Sequence, residues 1–170
     1  MGFQEAGGLV RRAGGDTVKT FLRFVIFFSL TIWVGGIIFF SLAVAPHVFA
    51  VLLPVTGGQH LAGEIVARAL HALHVMGIAC CIIFLAASAA LHGSFRRLQH
   101  YLVIAMLALT CVSQFMVTPR IETLRLTPGF DTTASAEFYR LHQTSVGIEG
   151  AVLLLGLAVI WMVARGSEPR

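Results

Sequence analysis

The chain has 170 residues, of which 57% are apolar and only 12% charged, and its mean hydropathy is +0.86. Soluble domains carry about 25% charged residues, so composition excludes a soluble globular domain. The net charge of +4 needs no nucleic-acid partner, because the basic residues sit beside apolar runs in the manner of the positive-inside bias.

A hydrocarbon core of ~30 Å is crossed by about 20 apolar residues in helical form. Four runs meet that length, and the ten-residue alternation of a membrane barrel is absent from the sequence. The expected fold is therefore all-α, an integral membrane four-helix bundle with both termini cytoplasmic. Its helices are expected at about 21–45, 64–91, 99–118 and 140–164. Together they form a transmembrane domain over 21–165, with a flexible or interfacial tail at 1–20 and a short C-terminal tail at 166–170.

The tail MGFQEAGGLVRRAGGDTVK is Gly-rich and polar. Its Met-Gly start resembles a myristoylation signal, but Ala6 stands where Ser or Thr is required. The first apolar run exceeds the 7–15 residues of a signal-peptide core, so it reads as a true span. Within it Ser29, Trp33, Gly36 and Phe40 follow helical spacing. Gly35 and Gly36 permit close helix approach, and Trp33 is a candidate for lining a ligand site. Pro46 lacks an N–H and is expected to stop or kink this helix.

A turn-rich linker, PVTGGQHLAG at 54–63, leads to the second span. There Glu64, Arg68 and His71 share one face at i, i+4 and i+7, and His74 follows one turn later. Cys80, Cys81 and Cys111 lie within spans and form no secreted disulfide framework. They read as small buried apolar residues, with soft-metal ligation the sharper alternative. The third span carries Thr110, Gln114 and Thr118 as a polar stripe, and the fourth carries His142, Ser145 and Glu149 on one face. At 1.5 Å per residue, Glu149 lies roughly 12 Å deeper than Leu141, where an unpaired charge costs at least ~2.5 kcal/mol. Glu149 must be protonated, paired or turned into a wet interior.

Orientation follows from the basic residues. Arg11, Arg12, Lys19, Arg23, Arg96, Arg97, Arg165 and Arg170 fall on the side of the termini. Arg68, Arg120, Arg125 and Arg140 fall on the other, offset by Glu64, Glu122, Asp131 and Glu137. That imbalance predicts cytoplasmic termini in the cell's inner (plasma) membrane. Five histidines (His47, His60, His71, His74 and His142) then gather near the outer face, with His92 and His100 at the cytoplasmic loop.

These residues outline a polar site in the outer half of the bundle, binding a metal or small ligand and open to a transport role. Glu64, Arg68, Gln114, Arg120, Glu149 and Trp33 are the candidate ligand-binding residues, and His71, His74 and His142 the candidate metal ligands. One alternative is a b-type haem protein with His71 and His142 as axial ligands and Arg68 or Arg120 pairing with propionates. The other is a structural or partner-binding membrane protein whose polar stripes only set helix packing. The cofactor stays open between a metal ion and haem b. Expected partners are the lipid bilayer and the ligand, with self-association open. Nucleotide loops, a nucleophile elbow, HExxH and CxxC are all absent from the sequence, so catalysis is not expected.

The order Trp33-x-Gly35-Gly36, then Pro46-His47-x-Phe49, then TPRIETLR at 118–125 and FYRLHQTSVGIEG at 138–150 resembles the transmembrane-protein-205-like family of small four-helix membrane proteins. The resemblance spans about residues 21–164 and rests most on Pro119, Arg120, Phe138, Leu141, His142 and Ser145. It implies a four-helix membrane fold and no particular mechanism. Asn is the residue the family pattern implies near Glu149, which makes the carboxyl a local departure. The architecture is also similar to copper-resistance-type and haem-binding membrane modules with histidines at helix ends, an analogy of fold alone.

Overall fold

The computed structural model describes residues 3–93, 97–126 and 132–165. The expected tail 166–170, with Arg170, and the charged residues Arg96 and Asp131 lie outside the described residues, as do the side chains of Arg11 and Arg12. Every described element is helical: α1 (Phe3–Phe39), a π-helical turn (Phe40–Val44), α2 (Ala45–Leu52), α3 (Gly58–His92), α4 (Leu98–Val112), a second π-helical turn (Ser113–Val117), α5 (Thr118–Leu126) and α6 (Thr132–Arg165).

These elements make four passes long and apolar enough to cross a membrane: Gly15–Leu52, Gly58–His92, Leu98–Arg125 and Ala136–Arg165. The helices overrun the expected bounds. The 35 residues of α3 span about 50 Å at 1.5 Å each, well beyond the ~30 Å hydrocarbon core. α3 packs on α1 and α4, and α6 packs on α1 and α4, which closes the passes into an antiparallel ring. Four passes put Gly15 and Arg165 at the same end of the bundle. The connection 53–57, the end of α5 and the start of α6 lie at the other, the far end.

Pro46 does not end the first helix. Proline has no N–H and its ring strikes the carbonyl of residue i−4, here Leu42. The π-helical turn at 40–44 takes up that clash, because Ala45 N–H donates to Phe40 O, one residue further back than in an α-helix. The third pass repeats the device before Pro119. Thr118 donates to Ser113 O from its backbone N–H, and again from Oγ1 at 2.9 Å. Each π turn adds one residue and so rotates the helix downstream by about 100° relative to the helix upstream.

Short connections close the other junctions. Gly57 precedes α3 at φ +73°, and Gly93 ends it at φ +66° with its N–H on Ala89 O. Both occupy the left-handed region, where a side chain is disfavoured.

The core runs along the ring's axis. Leu30, Trp33 and Ile37 from α1 meet Cys81 and Phe84 from α3, Val103 and Met106 from α4, and Val152 and Val159 from α6, all nearly inaccessible. Gly77 on α3 lies directly beneath the Trp33 indole, so the two backbones approach closely. Phe21, Phe24, Phe28, Ile82, Leu154 and Trp161 face outward. Exposed apolar surface of this kind suits hydrocarbon as solvent, provided every backbone group is satisfied within its own helix.

Candidate functional site

Two polar features occupy the far half of the bundle, one beneath the other. The deeper is a hydrogen-bonded layer drawn from three passes. His74 on α3 is 2% exposed, and its Nδ1 donates to Gln114 Oε1 at 2.8 Å. Gln114 Nε2 donates to Nδ1 of His71 at 2.6 Å. On the other side of its ring, His74 Nε2 lies 2.6 Å from Glu149 Oε1, on α6.

An amide oxygen only accepts, so His74 must carry a proton on Nδ1. The contact between Nε2 and Glu149 then holds one proton in either form. Nε2–H donates to a carboxylate, or a carboxyl O–H donates to Nε2. The pair is neutral as a unit in both cases, so Glu149 sits in the interior without an isolated charge. The second π turn matters here, since Gln114 and its buried neighbour Ser113 lie within it.

The shallower feature is a cavity of about 890 Å³ at the far end. Its walls are apolar, with Phe49 and Leu53 from the first pass, Val66 and Leu70 from α3, Ile121 from α5 and Phe138 from α6. Gln59, His60, Thr118, Glu122, Arg125 and His142 supply the polar groups. His142 stacks on Phe138 with ring planes parallel and centroids 6.2 Å apart. Leu70 precedes His74 by one turn and Thr118 follows Gln114 by one turn, so the cavity floor lies about 6 Å above the polar layer.

The family model for a domain of unknown function, DUF4149, matches residues 28–127 of this chain. The chain belongs to the DUF4149 family. The matched region holds most of the first pass and all of the second and third, with His71, His74, Gln114 and Arg125. Phe138, His142 and Glu149 lie downstream of the match. No curated protein and no solved structure matches the chain.

The expected site residues of this DUF4149 member separate into groups. His71, His74, Gln114 and Glu149 come together as the deep layer. His142 does not join them; it lies two turns above Glu149 on α6 and lines the cavity. Among the described residues, no three of His, Cys, Asp and Glu converge closely enough to hold a metal ion. The two histidines expected as axial haem ligands sit at different levels: His71 Nδ1 accepts from Gln114 in the deep layer, and His142 stacks on Phe138 in the cavity wall.

Arg68 and Glu64 bond each other at 2.6 Å, with Arg68 80% exposed, and neither lines the cavity. Arg120 is exposed and also outside it. Trp33 is 2% exposed and belongs to the core, packed over Gly77. The expected Thr110–Gln114–Thr118 stripe is broken in phase by the π turn, although Thr110 and Gln114 are both buried.

Sequence reasoning missed Arg125, Glu122 and His60 as cavity residues. The signal was present at Thr118, Glu122 and Arg125, which recur at i, i+4 and i+7 on one face of α5. It was hidden by assigning that segment to the loop beyond the third span. His100, expected at the loop near the chain ends, is instead fully buried, its Nε2 2.8 Å from Ser88 Oγ.

Proposed function

We propose that this membrane protein takes a small organic ligand, largely apolar in body, into the cavity at the far end of its bundle. The observation that carries the proposal is the cavity itself. Its volume of about 890 Å³ falls in the 300–1,000 Å³ range of small-molecule sites, as does its mix of aromatic and aliphatic walls with a few convergent polar groups. The His74–Gln114–Glu149 layer forms its foundation, tying α3, the second π turn and α6 together where the walls begin. Onward passage of a ligand would require that layer to separate.

The excess of basic residues near the chain ends supports cytoplasmic termini in the inner membrane, so that the cavity opens to the outer side. Reporter fusions at Met1 and Arg170 silent for export, with export activity from an insertion at 127–131, test this; the reverse pattern inverts the topology. The motif resemblance supports membership of the transmembrane-protein-205-like group, again as a proposal.

Binding is tested by titrating 1-aminoanthracene, a neutral fluorescent amphiphile, into protein held in nanodiscs. The expected result is saturable fluorescence in the wild type that is lost in Val66→Trp and Ala67→Phe, whose side chains fill the cavity. Equal saturable binding in all three would place the probe elsewhere and end the proposal.

A further inference from the structure

Resting on that reading of the cavity, we infer that its ligand carries a single anionic head group, a carboxylate or a phosphate monoester, held by Arg125. The inference starts from a charge in an unusual position. Arg125, near the end of α5, has a side chain only 14% exposed, yet it lines a cavity whose walls are mostly apolar. A buried guanidinium is costly unless paired and hydrogen-bonded.

The available partner is poor. Glu122 Oε1 lies 4.0 Å from Arg125 Nη2, on a side chain that is 56% exposed. That distance is beyond a hydrogen bond, and a half-exposed pair one turn apart contributes little. Arg125 Nε is buried with no hydrogen-bond partner among the described residues. Unmet buried donors are rare and call for an explanation such as a missing acceptor.

The surroundings fit an anion. Nη1 rests against Gly63 of α3, where a Cβ would come within 3.0 Å of it, so the glycine makes room for the guanidinium. His60 and His142 line the same cavity and offer ring N–H donors. Guanidinium presents a planar fork of donors that matches the two oxygens of a carboxylate or phosphate. The apolar walls of Phe49, Leu70 and Ile121 would receive the hydrocarbon part. The occupant is then an anionic amphiphile, drawn either from the bilayer as a single-chain acidic lipid or from water as a free organic acid.

The test is competition against bound 1-aminoanthracene by chain-matched decanoate, decyl phosphate and decanol, with 1-palmitoyl-lysophosphatidic acid in the nanodisc bilayer as a further competitor. In the wild type the anions should displace the probe at about tenfold lower concentration than decanol, a factor equivalent to ~1.4 kcal/mol. Arg125→Gln should still bind the probe but lose the preference, and Arg125→Lys should keep part of it. Displacement by decanoate at lower concentration than decanol assigns water as the source, and displacement by the embedded lipid that Arg125→Gln abolishes, with decanoate and decanol both inactive, assigns the bilayer; either supports the inference. Equal displacement by decanoate and decanol in the wild type overturns it while leaving the cavity proposal intact. Absence of saturable probe binding in the wild type sinks both.

Discussion

At the scale of single residues, the informative contact is the one between His74 and Glu149. Its 2.6 Å separation is a direct hydrogen bond between side chains only 2% and 14% exposed. Glu149→Ala should strand His74 Nε2 without a partner and cost about 1–3 kcal/mol, the desolvation cost of an unmet buried group. Glu149→Gln should cost less, because an amide N–H can donate to Nε2 while His74 stays neutral. Thermal unfolding followed by circular dichroism in detergent orders the two variants; equal losses would show that the carboxyl's charge, and not a hydrogen bond alone, holds the pair. The sequence already marked Glu149 as a charge that lipid cannot accommodate unpaired, and His71, His74 and Gln114 as candidate site residues. It did not show that Gln114 would span both histidines, since that depends on the rotation set by the π turn. Nor could it separate His142 from the others. Helical spacing places His142 and Glu149 on one face two turns apart, but does not show that the floor of a cavity falls between them.

At the scale of elements, helix approach is governed by where glycine meets a side chain that cannot move. A Cβ on Gly77 would run into the Trp33 indole ring, which is itself clamped in the core. A Cβ on Gly36 would meet the flexible ends of Met76 and Leu73 at 2.8 and 3.0 Å, and one on Gly35 would meet nothing within 4 Å. Alanine should therefore destabilise most at Gly77, by about 1–3 kcal/mol as overpacking does, and less at Gly36. At Gly35 it should be neutral or stabilising, by up to about 1 kcal/mol from helix propensity. The same unfolding measurement checks the order, and a Gly35→Ala loss as large as that at Gly77 would contradict the packing described. The pair Gly35-Gly36 was legible as a close-approach motif, but Gly77 was not, because its partner comes from 44 residues upstream. The two prolines behaved similarly. Pro46 reads locally as a helix stop, whereas the fold continues through it by widening one turn.

At the scale of the whole molecule, composition and run length were enough to specify four apolar helices, because a bilayer leaves a chain so few ways to satisfy its backbone. The ring of antiparallel passes, with Gly15 and Arg165 at one end, follows from four long helices joined in sequence order. What run length does not convey is that the bundle fails to close at its far end. There α2 and α5, set off by their π turns, flank α3 around a space of about 890 Å³ while the rest of the axis is filled by Trp33, Phe84 and Met106. That space is the central claim, and crystallography with a heavy-atom ligand tests it most directly. Crystals grown with 10-bromodecan-1-ol and, separately, 10-bromodecanoate should each show an anomalous bromine peak among Phe49, Leu70, Ile121 and Phe138, on α2, α3, α5 and α6. Bromine found only against the lipid-facing surface, around residues such as Phe24 or Leu154, with the cavity empty of both ligands, would contradict the account.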